Sequence, residues 1–148
     1  MTQLRVAIMA DETGWHTRQL QAALRARGLS SVRVDWADPA IDWSRFGIAV
    51  FRTTWDYFDR QAEFMAWLDR VSACTRLCNP AALVRGNIDN HYLGDLAAAG
   101  VPIVPTRYLE RGDATPLAAH LEAAGWDQAI VKPCISGRPV GPPSACSQ

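Results

Sequence analysis

The run Leu4-Arg5-Val6-Ala7-Ile8-Met9-Ala10 is apolar at every position but one and includes the β-branched Val6 and Ile8. A half-solvated strand alternates apolar and polar residues, whereas a strand covered on both faces reads as a continuous run. The stretch Phe46–Phe51 (FGIAVF) repeats this signature. Between the two lies a helical pattern with Leu20, Ala23 and Leu24 on one side and Arg18, Gln21 and Arg25 on the other. Gly28 stands where a left-handed C-terminal cap belongs. Val32 to Trp36 is a further strand candidate, closed by Asp38-Pro39, and Phe64, Leu68 and Val71, with Met65 alongside, recur at helical spacing. Strands joined by short connections and helices predict βαβ units, so the expected fold is an open, mostly parallel, Rossmann-like α/β sheet. This first domain is expected over residues 1–84. Right-handed crossovers place the loops after Ala10 and Phe51 at the carboxyl edge of the sheet, where such folds bind ligands.

The second half of the chain is patterned differently. Leu77-Cys78-Asn79-Pro80 reads as a short strand entering a turn, and Asn87 as the cap of a helix running through Leu93, Leu96 and Ala97 to Gly100. Pro102 and Pro105 exclude a central strand position for Val101–Tyr108. Thr115-Pro116 opens a helix that ends at Gly125, and Ala129-Ile130-Val131-Lys132-Pro133 reads as a compact strand. A second domain is expected over residues 85–136, and a disordered tail rich in Gly, Pro and Ser over residues 137–148.

Composition removes several functional classes. Fifteen Lys and Arg balance fifteen Asp and Glu, so there is no electrostatic footprint for nucleic acid or an acidic membrane. The apolar runs are of single-strand length, far below the roughly 20 residues of a membrane span. The N-terminus lacks the build of a signal peptide, and a cytoplasmic location is expected. The cysteines Cys74, Cys78, Cys134 and Cys146 do not form a zinc-type pattern and read as reduced thiols.

Two places carry candidate chemistry. Lys132 sits in an apolar segment with Ser136-Gly137 close behind. A lysine held by a strand offers a point charge to a phosphate, and small residues let backbone N–H groups approach one. The plainer reading makes Lys132 an outward-facing residue on an edge strand. Upstream, Arg52-Thr53-Thr54-Trp55-Asp56-Tyr57 follows a buried strand. A ligand role is favoured there for Arg52, and capping or packing for its neighbours. Asp11 and Glu12 follow the first strand, where either ligand contact or helix-entry polarity suits them.

Several of these pieces stand in a familiar order. Arg52-Thr53-Thr54-Trp55-Asp56-Tyr57, Cys78-Asn79-Pro80, Asp89-Asn90-His91-Tyr92-Leu93, Gly100-Val101-Pro102-Ile103-Val104-Pro105-Thr106 and Ile130-Val131-Lys132-Pro133 together resemble the ATP-grasp ligases. Within that superfamily the pattern is similar to the branch of glutathione-synthetase-like and ribosomal-protein-glutamate-ligase-like enzymes. The resemblance implies a pre-ATP-grasp domain followed by an incomplete α+β ATP-grasp N-subdomain. It implies a ligase in which ATP phosphorylates a carboxylate and an amine attacks the acylphosphate, with Mg2+ bridging the phosphates.

Carried onto this chain, the resemblance puts Lys132, Ser136, Gly137 and Asn90 at the nucleotide, with Arg52 and Asp11 at the substrate. Asn90 stands where such enzymes have a lysine, and no acidic metal pair follows Lys132. These departures give the expectation of a truncated, frameshift-like N-terminal portion, inactive alone, with no catalytic or metal-ligating residue of its own. Its implied partners are ATP and a small carboxylate or amine, and oligomerisation is left open. The rival expectation is a non-catalytic α/β module that binds a small molecule or another subunit.

Overall fold

The continuous apolar runs are the inner strands of the sheet. In the computed structural model, which describes residues 4–10, 15–54 and 56–135, β1 (Arg5–Ala10), β2 (Ser30–Val34), β3 (Ile48–Thr53) and β4 (Arg76–Cys78) stand in the order β2-β1-β3-β4. All three pairings are parallel. β1 and β3 are therefore flanked on both sides, while the more polar β2 and the three-residue β4 take the edges. The chain divides into two compact units, Met1–Ile88 and Asp89–Gln148.

In the first unit the two faces of the sheet follow the strand period. Ala7 and Met9 of β1 join Ala49 of β3, Val34 of β2 and Leu77 of β4 in one buried cluster. This face is covered by α2 (Gln61–Ser72), whose buried residues Phe64, Trp67, Leu68 and Val71 follow the i, i+3, i+4, i+7 stripe. The link from β2 to β3 carries a single 3-10 turn, Trp43–Arg45, and no α-helix. Trp36, Trp43 and Phe46 from this link fill the remaining space. The ring of Trp67 is stacked on Phe64 at 5.4 Å and meets Trp36 and Trp43 edge-on at 6.0 and 5.2 Å. Each such pair contributes about 0.5–1.5 kcal/mol beyond its area burial.

Val6 and Ile8, also buried, point to the opposite face. α1 (Trp15–Ala26) packs against β2, and Thr17, Leu20, Gln21 and Leu24 are the residues of the helix withdrawn from solvent. The stripe thus includes Gln21 in place of the expected Ala23, because Thr17 and not Trp15 is the buried residue of the first turn. Gly28 terminates this helix with φ +73°, the left-handed geometry expected of it.

The helix expected to run from an Asn87 cap to Gly100 is shorter and starts later, and Asn87 does not cap it. α3 (Ala81–Asn87) ends at Asn87, and α4 (Tyr92–Ala98) starts five residues later. Pro80 opens α3, a proline start of the kind recognised at Thr115-Pro116 and missed here. In the second unit α4 and α5 (Leu117–Ala124) contain no buried residue, and no strand is present among the described residues. Neither Val101–Tyr108 nor Ala129–Pro133 is a strand, because neither has a ladder partner there. Ile130 is 84 % exposed and Val104 81 %. No helix among the described residues is long and apolar enough to cross a membrane.

Candidate functional site

The strand order places a topological switch between β1 and β3. The chain leaves β1 toward β2 on one side and returns across β1 to reach β3 on the other. In open parallel sheets the crevice at the carboxyl ends of such strands is where ligands bind. The registry changes at that point. Met9 pairs with Phe51 but Ala10 pairs with Thr53, so Arg52 is the extra residue of a bulge. A bulge re-aims the side chain it carries. Phe51, just before it, turns into the core against Phe64 and Trp67, and Arg52 is left exposed.

A cleft of about 230 Å³ opens beside this bulge. Phe51, Phe64, Val84 and Ile88 give it an apolar floor. Arg52, Thr53, Thr54, Tyr57, Asn79 and Asn87 supply its polar groups. Arg52 is the single charged residue among the described lining residues, and it makes no ion pair among the described residues. A guanidinium fork beside hydroxyls and amides is suited to a carboxylate or phosphate. The described lining residues include no acid, cysteine or histidine, and what they offer is binding and orientation. A wider concavity of about 370 Å³ lies between the end of α1 and the start of β2. It is at the amino end of its strand, away from the switch point, and Arg25 is its one charged group.

The neighbouring loop is structural. The Trp36 indole N–H donates to Asp56 Oδ1 at 2.8 Å, and the other carboxylate oxygen pairs with Arg60 at 3.1 Å. The Arg60 guanidinium lies 4.8 Å over the Trp36 ring and also bonds Glu63, whose carboxylate raises the Arg60 pKa above its ordinary value. Asp56 thus locks the loop to the core, in line with the capping-or-packing reading favoured for it.

Of the other candidates, Asp11, Ser136 and Gly137, together with Glu12 and Trp55, lie outside the described residues. Asn90 and Lys132 belong to the second unit. The Asn90 N–H donates to the Cys134 carbonyl at 2.8 Å, which ties the Asn90 turn to the segment carrying Lys132. Lys132 is exposed, lies in no strand, and forms no ion pair among the described residues.

Asn79 and Asn87 are cleft residues that function-directed reading of the sequence passed over. The available signal was topological: with β4 beside β3, the residue after Cys78 necessarily ends up beside the residues after Phe51. The described residues bring together no oxygen-donor set of the kind magnesium takes. The one group of three ligand-type side chains converging among the described residues is Asp89, His91 and Cys134, a mixed oxygen, nitrogen and sulfur set.

The fold has known relatives. Residues 6–79, half of the 148-residue chain, match the family model described as D-cycloserine synthetase DcsG, N-terminal domain. The cycloserine biosynthesis protein DcsG of Streptomyces lavendulae is 48% identical over 93 residues, covering 63% of this chain and 31% of that protein. The crystal structure of D-cycloserine synthetase DcsG superposes with a TM-score of 0.70 at 41% identity, over 82% of this chain and 43% of that one. A RimK domain ATP-grasp protein from Sphaerobacter thermophilus DSM 20745 matches with a TM-score of 0.52 at 30% identity, over 70% of this chain and 41% of its own. The chain therefore spans about a third of the length of its curated relative. It belongs to the DcsG N-terminal domain family of the ATP-grasp ligases.

Proposed function

We propose that this chain is the substrate-side portion of an ATP-dependent ligase that joins a carboxylate to an amine, with Arg52 holding the carboxylate and the Lys132 segment holding the nucleotide. The observation that carries the reading is the bulge at Arg52, which presents an unpaired guanidinium to a cleft at the switch point of a DcsG-family sheet. D-cycloserine, the compound in the relatives' names, contains a ring N–acyl bond, the bond class that such a ligation forms. ATP, when bound, supplies the phosphoryl group that activates the carboxylate. Lys132 suits a phosphate because it is an exposed ammonium without a competing carboxylate among the described residues. Asn90, tied by its backbone to that segment, belongs to the nucleotide side with it. The resemblance to ATP-grasp ligases assigns Ser136 and Gly137 to the nucleotide as well, and Asp11, with Arg52, to the substrate.

The chain alone is expected to bind and not to turn over, since no oxygen-donor set for magnesium converges among the described residues. Equilibrium binding to the 148-residue chain tests both halves of the proposal. Lys132→Ala is expected to weaken ATP roughly tenfold, the loss of one charge-assisted contact, and to leave intact the binding of the ring-opened amino-oxy acid of D-cycloserine, in which the N–acyl bond is replaced by a free carboxylate. Arg52→Ala is expected to do the reverse. An ATP affinity indifferent to Lys132→Ala overturns the nucleotide assignment, and an amino-oxy acid affinity indifferent to Arg52→Ala overturns the substrate assignment. The rival reading, a binding module with no ligase chemistry, predicts no ADP release under any substrate combination even within a full-length relative carrying this segment.

A further inference from the structure

The geometry points to a second site, in the Asp89–Gln148 unit: Cys134 and His91 form a binding site for a thiophilic divalent cation of the zinc class, with Asp89 orienting the imidazole. Asp89 Oδ1 lies 2.6 Å from His91 Nδ1 and accepts the His91 backbone N–H at 3.0 Å. That contact places the ring proton on Nδ1 and leaves the Nε2 lone pair free, the arrangement found where a carboxylate orients a metal-binding histidine. Nε2 faces Cys134 Sγ at 3.8 Å. An ion bound to a thiolate at about 2.3 Å and an imidazole at about 2.05 Å, with a tetrahedral angle between them, requires the two atoms to be about 3.6 Å apart.

The three segments involved are also fixed to one another. The Tyr108 ring is stacked on His91 at 4.4 Å, with 25° between the planes. Its hydroxyl donates to the Asn90 carbonyl at 2.9 Å, and the Asn90 N–H donates to the Cys134 carbonyl at 2.8 Å. The imidazole plane and the Cys134 backbone are thus both held before any ion arrives. The side chains of His91 and Asp89 are 57 % and 40 % exposed, so water completes the coordination and the ion exchanges freely. A nitrogen and sulfur pair selects against magnesium, which takes oxygen donors. On binding, the Cys134 thiol releases its proton to solvent as the metal–sulfur bond forms.

Cobalt(II) serves as a spectroscopic stand-in. Titrated into the full chain, it is expected to give one sulfur-to-cobalt charge-transfer band in the near ultraviolet, saturating at one ion per chain and displaced by zinc. Cys134→Ser is expected to abolish the band. Asp89→Asn is expected to keep the band but weaken affinity by roughly tenfold or more, since only the orientation of the histidine is lost. A variant with Cys74, Cys78 and Cys146 all replaced by serine is expected to behave as the parent. A band that persists in Cys134→Ser, or that is absent from the parent, overturns the site, as does saturation at half an ion per chain. Nucleotide affinity is not used in the readout, so the result stands independently of the ligase assignment.

Discussion

At the residue scale, the side chains that shape the cleft are separated by a few atoms from those that hold the fold. Asp56 stands four positions from Arg52, yet its carboxylate satisfies the indole N–H of Trp36, a residue 4 % exposed. Removing that acceptor strands a buried donor, and such a loss costs about 1–3 kcal/mol. Asp56→Ala is therefore expected to lower stability by that amount, read from a chemical-denaturation midpoint followed by tryptophan fluorescence. The same substitution is expected to leave the guanidinium of Arg52 free to bind, so affinity at saturating folded fraction should hold. Arg52 itself could be singled out in the sequence because it follows a buried strand. That it is the extra residue of a bulge could not, since a registry shift depends on the partner strand.

Among the elements, the parallel core was legible because burial on both faces leaves a continuous apolar run, and only β1 and β3 show one. α2 was equally legible, since its core stripe falls at helical spacing without exception. The strand expected at Ala129–Pro133 failed for the complementary reason: apolar composition describes a propensity, and a strand exists only where another backbone completes the ladder.

α5 shows an element fixed by its entry. Asp113 Oδ1 accepts the Thr115 N–H at 2.8 Å and Oδ2 lies 3.2 Å from His120 Nε2, across the first turns of the helix. The Thr115 backbone bond, more than the nearby imidazole, holds the Asp113 carboxyl below the usual carboxylate range. A depressed acid stabilises the fold above its unfolded-state pKa and loses that contribution as pH falls through the folded-state value. The stability gap between the parent and Asp113→Ala is thus expected to be constant near neutrality and to close in acid, below the ordinary titration range of aspartate. Amide exchange within Leu117–Ala124, followed against pH, reads that gap, and a gap unchanged down to the acid limit would contradict the assignment.

Across the whole molecule, the buried apolar side chains among the described residues all fall between Val6 and Leu77. This is the span in which the aromatic cluster and the four-stranded sheet lie, and it is nearly the span matched by the DcsG N-terminal family. From Asp89 onward the helices are short, and apolar residues such as Val104, Ile130 and Val131 face solvent. Helices of seven or eight residues have little stability of their own and depend on an amphipathic face being covered. Local opening free energy follows buried contact density, so the two units should open separately. Hydrogen exchange of the intact chain is expected to show slow amides in β1, β3 and α2, close to the global unfolding limit. Amides of α4 and α5 should exchange faster by orders of magnitude, through local opening. Addition of ATP should then slow exchange in the Asp89–Cys134 region selectively if Lys132 and Asn90 hold the nucleotide, because a ligand protects whatever it must find ordered. Uniform protection across both units would instead mean that the second unit draws its stability from contacts other than its own core, and protection confined to the β3 cleft would move the nucleotide to Arg52.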